Sequence, residues 1–96
     1  YRAMAIGSFR CRDTKALFEG QRVNKFRAIE TVALRKLAIL NRVNFVDELR
    51  VPPGNRLESL VGKRRGQWSI RINDQWRICF RFLGQNVIDV EIVDYH

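Results

Sequence analysis

Six basic residues in the second half of the chain have a spacing that gathers positive charge on one surface. Lys63, Arg64 and Arg65 precede a segment carrying Arg71, and Arg77 and Arg81 follow with matching parity. If these segments are neighbouring antiparallel strands, several of the side chains share one face. A planar guanidinium grips a phosphate in two places and neutralises charge that builds on it during attack. The same arginines also read as solvated surface, or as cross-strand partners of Asp89 and Glu91. Asp94-Tyr95-His96 sets the only histidine and a phenol at the end of a strand-like segment. Imidazole carries protons near neutral pH, although a terminal tripeptide also reads as a frayed end. Glu58 is a further candidate proton acceptor, or an exposed carboxylate near a strand start.

Other chemistries find no support. The sequence has no Ser-His-Asp set in a recognisable context, no P-loop, no GxGxxG and no zinc-ligand spacing, so neither cofactor nor metal is expected. Cys11 and Cys79 form neither a C-x-x-C pair nor a disulfide framework, which points to a reducing cytosol. No apolar run reaches the length of a membrane span, and no signal-peptide stretch opens the chain, so a cytoplasmic protein without a membrane partner is expected. Tyr1-Arg2-Ala3 ahead of Met4 read as residues added before the natural start.

The elements that must position the basic residues follow from periodicity. Ninety-six residues, 46% of them hydrophobic, make a single domain with one core. Met4 to Phe9 reads as a first strand, and Asp13 or Thr14 as the cap of a short helix through Phe18 that Gly20 ends. From Phe26 to Val43, Ile29, Ala33, Leu37 and Leu40 recur at helical spacing, with Glu30, Arg35, Lys36 and Arg42 on polar faces. Val46 to Leu49 add a turn before Pro52-Pro53-Gly54 breaks regular structure. The period then becomes two. Trp68, Ile70 and Ile72 alternate with Gln67, Ser69 and Arg71, and Trp76, Ile78, Phe80 and Phe82 alternate with Arg77, Cys79 and Arg81. Both tryptophans therefore belong to the core face rather than to a base-stacking platform. Turns at Asn73-Asp74 and Gly84-Gln85-Asn86 lead to a last strand, with Ile88, Val90 and Ile92 facing inward and Asp89 and Glu91 outward. The expected fold is α+β, a helical half packed against an antiparallel meander.

A formal charge of +8 on so small a domain calls for an acidic partner, whether nucleic acid, an anionic membrane or an acidic protein. A resemblance narrows that choice. Arg56-Leu57-Glu58-Ser59-Leu60, Gly62, Arg64 and the run Gly66 to Asn73 resemble the HigB branch of the RelE/ParE toxin superfamily. So do Asn73 to Phe82 and the closing Val90 to His96, and the likeness extends over nearly everything from Met4 onward.

The resemblance implies a RelE-like, microbial RNase-like fold, with N-terminal helices packed on a curved antiparallel sheet of about four to five strands. It also implies a metal-independent, ribosome-dependent endonuclease that cuts mRNA in the decoding site of the small ribosomal subunit, against its rRNA. A ribose 2′-hydroxyl would attack the adjacent phosphodiester. Arg77 matches the family's sheet arginine that stabilises the phosphorane-like charge. Tyr95 and His96 match its C-terminal pair, which orients the phosphate or moves protons, with Asp94 positioning them. Lys63, Arg64, Arg65, Arg71 and Arg81 would bind RNA. Some relatives carry His and Lys where this chain has Glu58 and Val61, so Glu58 becomes the substitute base and Arg64 the substitute positive charge. The implied partner is a HigA-type helix-turn-helix antitoxin, with operator DNA bound only through the toxin–antitoxin complex. A ParE-like gyrase inhibitor without catalysis, and an inactive RNA-binding module, are the competing functions. Retention of Arg77, Tyr95 and His96 favours the nuclease.

Overall fold

The computed structural model describes residues 5–95, so the expectations for Met4 and His96 lie outside the described residues, as do Tyr1-Arg2-Ala3. The element order is β1 (Ala5–Ile6), α1 (Arg12–Phe18), α2 (Glu30–Leu40), β2 (Glu58–Ser59), β3 (Trp68–Arg71), β4 (Trp76–Leu83) and β5 (Asn86–Asp94). Short 3-10 turns lie at Asn24–Ile29, Val46–Arg50, Pro53–Asn55 and Gly62–Arg64. The strands form one sheet in the order β1-β5-β4-β3-β2. Strands β2 to β5 are antiparallel, as expected, whereas β1 joins β5 in parallel. No helix among the described residues is long and apolar enough to cross a membrane.

The long helical segment begins later than its periodicity suggests. Asn24–Ile29 is a 3-10 turn, Ile29 leaves helical geometry at φ -113° and ψ 5°, and the α-helix runs only from Glu30. Its buried residues Ala33, Leu37 and Leu40 meet Ile70, Ile78, Phe80, Val87, Val90 and Ile92 of the sheet in a single core. Each leucine, isoleucine, valine or phenylalanine side chain so removed from water contributes about 1.5–3 kcal/mol. Trp68 and Trp76 pack against this core, and Trp76 meets Phe26 edge to face at 5.5 Å.

At the first helix, Gly20 takes φ +95° and closes a Schellman pair, with its N–H donating to Leu17 O and that of Gln21 to Ala16 O. The proposed N-cap is not made. The cap position is Cys11, without a side-chain bond, and Asp13 instead pairs with Lys25 at 3.1 Å. Thr14 is buried, and its hydroxyl accepts from the backbone N–H of Ile92.

One inward assignment on β5 changes. The register shifts between Cys79 and Arg81, so that Arg81 lies opposite Ile88. Asp89 supplies the extra residue in the left-handed region at φ 55°, and its N–H donates to Ser8 Oγ. A bulge reverses side-chain parity beyond it. Val87, Val90 and Ile92 are therefore the buried set, while Ile88 is only half-buried.

Candidate functional site

The helices cover one face of the sheet, and the other face is polar but far from empty. Pairing places Glu91, Cys79, Ser69 and Glu58 in one row across β5, β4, β3 and β2, and sets Arg77 directly opposite Arg71 in the next. Arg77 is only 8% exposed. A buried guanidinium needs partners for its donors, and β3 together with the loop ahead of β2 provides them. Nε donates to Ser69 Oγ at 2.8 Å, and Nη2 donates to the carbonyls of Arg56 at 2.5 Å and Ser69 at 3.4 Å. Glu58 Oε1 lies 3.8 Å from the same Nη2, and the Tyr95 ring centre lies 5.7 Å from Cζ.

Around Arg77 opens a cleft of about 380 Å³ lined by Arg56, Glu58, Arg71, Asn73, Asp74, Arg77 and Tyr95. The β3–β4 turn forms one wall. Asn73 Oδ1 accepts the N–H groups of Gln75 and Trp76, an Asx arrangement that fixes the turn. Arg71 Nη2 donates to Asp74 Oδ1, and that bond holds the Asp74 carboxyl below its usual range. The 49–56 loop adds Arg56 to the lining. There Arg56 sits in the left-handed region at φ 47°, a conformation that non-glycine residues rarely adopt.

Beneath the cleft lies a lysine that the sequence reading assigned to a polar helix face. Lys36 is only 9% exposed, and its ammonium donates to Asn55 Oδ1 at 2.8 Å and Arg71 O at 2.7 Å. Asn55 in turn donates to the carbonyls of Leu49 and Val51. Lys36 thus ties α2 to the 49–56 loop and to β3. Burial is the main cause that lowers its pKa, with Arg35, Arg71 and Arg77 adding like-charge repulsion. A signal was present in the sequence. Lys36 lies three residues after Ala33 and four before Leu40, which places it on the apolar stripe. Arg56 was missed as a site residue because no periodicity marks a loop position.

Of the residues singled out from sequence, Glu58, Arg71, Arg77 and Tyr95 come together in the cleft. Asp94 adjoins it: Gln75 Nε2 donates to Asp94 Oδ2, and the Tyr95 N–H donates to Gln75 O. His96 lies outside the described residues. The remaining basic residues do not line the cleft. Arg64 donates to Gln67 Oε1 and Glu91 Oε1, and Arg81 pairs with Asp89 at 3.6 Å. That is the cross-strand pairing that stood as the alternative for these arginines. Gly66 makes room for one of them, since at φ +91° any Cβ there would meet Arg81 Nη1 at 2.6 Å. Lys63 and Arg65 are exposed.

Comparison with known proteins identifies the family. Residues 8–96 match the profile of the HigB-like toxins, described as RelE-like toxins of type II toxin-antitoxin systems. Toxin HigB-1 of Vibrio cholerae is 45% identical over 56 residues, a match that spans 58% of this chain and 59% of that protein. Endoribonuclease HigB of Proteus vulgaris is 30% identical over 103 residues, covering 95% of this chain and 99% of that one. In fold, the chain is similar to YafQ from E. coli strain BL21(DE3), with a TM-score of 0.53 at 18% identity over 99% of this chain and 94% of that one. By the extent of the profile match and the near full-length relative, this chain belongs to the HigB-like family of RelE-like toxins of type II toxin-antitoxin systems.

Proposed function

We propose that the chain is a metal-independent endoribonuclease that cuts mRNA on the ribosome and thereby stops protein synthesis. The observation that carries this reading is Arg77, buried, anchored on Ser69 and set in a cleft beside Glu58 and Tyr95. A guanidinium fixed before substrate arrives stabilises charge on a phosphorane without reorganising during the reaction. The 2′-oxygen bonds to phosphorus as it gives up its proton, the P–O5′ bond breaks, and the 5′-oxygen takes a proton, leaving a 2′,3′-cyclic phosphate. Glu58, Tyr95 and His96 are the proton carriers in this scheme, and Asp94 steadies the strand end through Gln75. Arg71 binds the RNA backbone at the cleft, and Lys63, Arg64, Arg65 and Arg81 act more remotely through their charge. The Proteus vulgaris relative is named an endoribonuclease, which supports the reading.

A type II family implies an antitoxin partner. We assign that role to a HigA-type helix-turn-helix protein whose complex with the toxin binds operator DNA, and we place the toxin's action in the cytoplasm. Arg77 and Tyr95 gathered in one cleft favour this reading over the gyrase-inhibitor alternative. The test is primer extension on a defined mRNA in a purified translation system, with native protein or Arg77→Ala, with and without ribosomes. New 5′ ends that require ribosomes and vanish with Arg77→Ala are expected. Intact message in every lane would overturn the reading.

A further inference from the structure

Three arginines line the cleft, and they differ in how their side chains are occupied. Arg77 gives Nε and Nη2 to Ser69 and the Arg56 carbonyl, and Arg71 gives Nη2 to Asp74. The Arg56 guanidinium makes no hydrogen bond or close ion pair among the described residues, although its charge acts on Asp74 of the same cleft, and the residue is exposed. Its backbone is nevertheless fixed. Arg56 N–H donates to Pro53 O, its carbonyl accepts from Arg77, and the preceding Asn55 is pinned by Lys36, Leu49 and Val51. The left-handed φ of 47° lets the carbonyl face Arg77 while the side chain lines the same cleft.

We propose that Arg56 binds the RNA phosphodiester next to the scissile one, forming a second phosphate subsite in the cleft beside Arg77. This inference rests on the endoribonuclease reading and deepens it. A backbone polyanion that lays one phosphate against Arg77 must carry its neighbour along the cleft, and an exposed guanidinium whose donors are not hydrogen-bonded is the group that takes a phosphate in two places. The arrangement also couples the subsites. The residue whose carbonyl orients Arg77 is the one that holds the adjoining phosphate, so seating the RNA steadies the arginine beside the bond that breaks.

The left-handed backbone supplies a clean test, because Arg56→Gly removes the guanidinium while favouring the conformation that presents the carbonyl. Ribosomes carrying a short synthetic mRNA are mixed with native toxin, Arg56→Gly or Arg56→Lys, and single-turnover cleavage is followed. A second set of messages has one neutral methylphosphonate linkage, placed in turn at each position flanking the cleavage site. With native toxin, one flanking linkage is expected to slow cleavage about tenfold, as does Arg56→Gly on the unmodified message, and Arg56→Lys recovers part of the rate. Arg56→Gly must then be indifferent to that linkage. Cleavage by Arg56→Gly at the native rate, or with undiminished sensitivity to the neutral linkage, would overturn the subsite and leave the endoribonuclease reading intact. Failure of native toxin to cut the unmodified message would instead remove the parent reading, and this one with it. A thermal melt of each variant separates loss of contact from loss of fold.

Discussion

Arg77 and Ser69 lie on adjacent strands without being register partners, yet the arginine donates to the serine hydroxyl at 2.8 Å. The direct partners are Arg77 with Arg71 and Ser69 with Cys79, so this bond runs diagonally across the ladder. It turns the guanidinium away from Arg71 and toward the carbonyl of Arg56. Ser69→Ala strands a buried charged donor, which costs about 1–3 kcal/mol and frees the guanidinium to swing. Urea unfolding and single-turnover cleavage are both expected to worsen. A variant with native midpoint and native rate would show that Arg77 needs no anchor.

Arg77→Ala removes the fixed charge itself and is expected to slow cleavage about 100- to 1,000-fold, the size of effect seen when one preorganised donor is lost. RNA binding to the isolated toxin should fall far less, because Arg77 is a small part of a +8 charge. Anisotropy with a single-stranded oligonucleotide checks the second half of that statement.

The Tyr95 ring, 43% exposed, stands 5.7 Å from the Arg77 guanidinium carbon. A cation–π contact at such a site contributes about 0.5–1 kcal/mol. Tyr95→Phe keeps the ring and Tyr95→Ala loses it, so the alanine variant is expected to cleave about two- to fivefold more slowly than the phenylalanine one. Equal rates for the two would mean that the ring's position has no bearing on cleavage.

Lys36 carries a pH signature. Its pKa is lowered in the fold, mainly by burial, from an ordinary 10.5. Between the lowered value and 10.5 the unfolded chain binds more protons than the folded one, so this residue makes native stability rise with pH across that window. Lys36→Met lacks the rise and leaves Asn55 Oδ1 and Arg71 O without a donor, at about 1–3 kcal/mol near neutral pH. The deficit between native and variant is expected to widen as pH climbs toward 10.5. Chemical denaturation at several alkaline pH values reads it directly, and a deficit that shrinks would contradict the assignment.

The two thiols should separate cleanly. Burial raises the Cys79 pKa against the opposing pull of Arg64, and the side chain is inaccessible, whereas Cys11 is half-buried at the start of the first helix. A thiol reagent at neutral pH is expected to modify Cys11 in the folded protein and Cys79 only after denaturant. Mass spectrometry of the peptides decides it.

The parts of the fold that periodicity governs were legible in the sequence. Alternation placed β3 and β4 and put Arg71 and Arg77 on one face, and Gly20 and Pro52-Pro53-Gly54 ended their segments as expected. What escaped depends on partners distant in sequence. The bulge that exchanges Ile88 for Val87 in the core is held by Ser8, and Thr14 serves β5 rather than its own helix. Arg64 and Arg81 could not be told from cleft residues because their carboxylate partners, Glu91 and Asp89, lie on another strand. Arg56 depends on a backbone angle that side-chain type does not announce.

The ties from Ser8 to Asp89 and from Thr14 to Ile92 span 81 and 78 residues. They have a kinetic meaning. Strands β3, β4 and β5 are joined by short turns and lose little chain entropy in meeting, whereas the N-terminal segment must close a loop of nearly the whole chain. The meander is therefore expected to assemble first, with the kink at Asp89 locked when Ser8 arrives. Weakening the Ser8 contact would then hasten unfolding while leaving the rate of folding almost untouched.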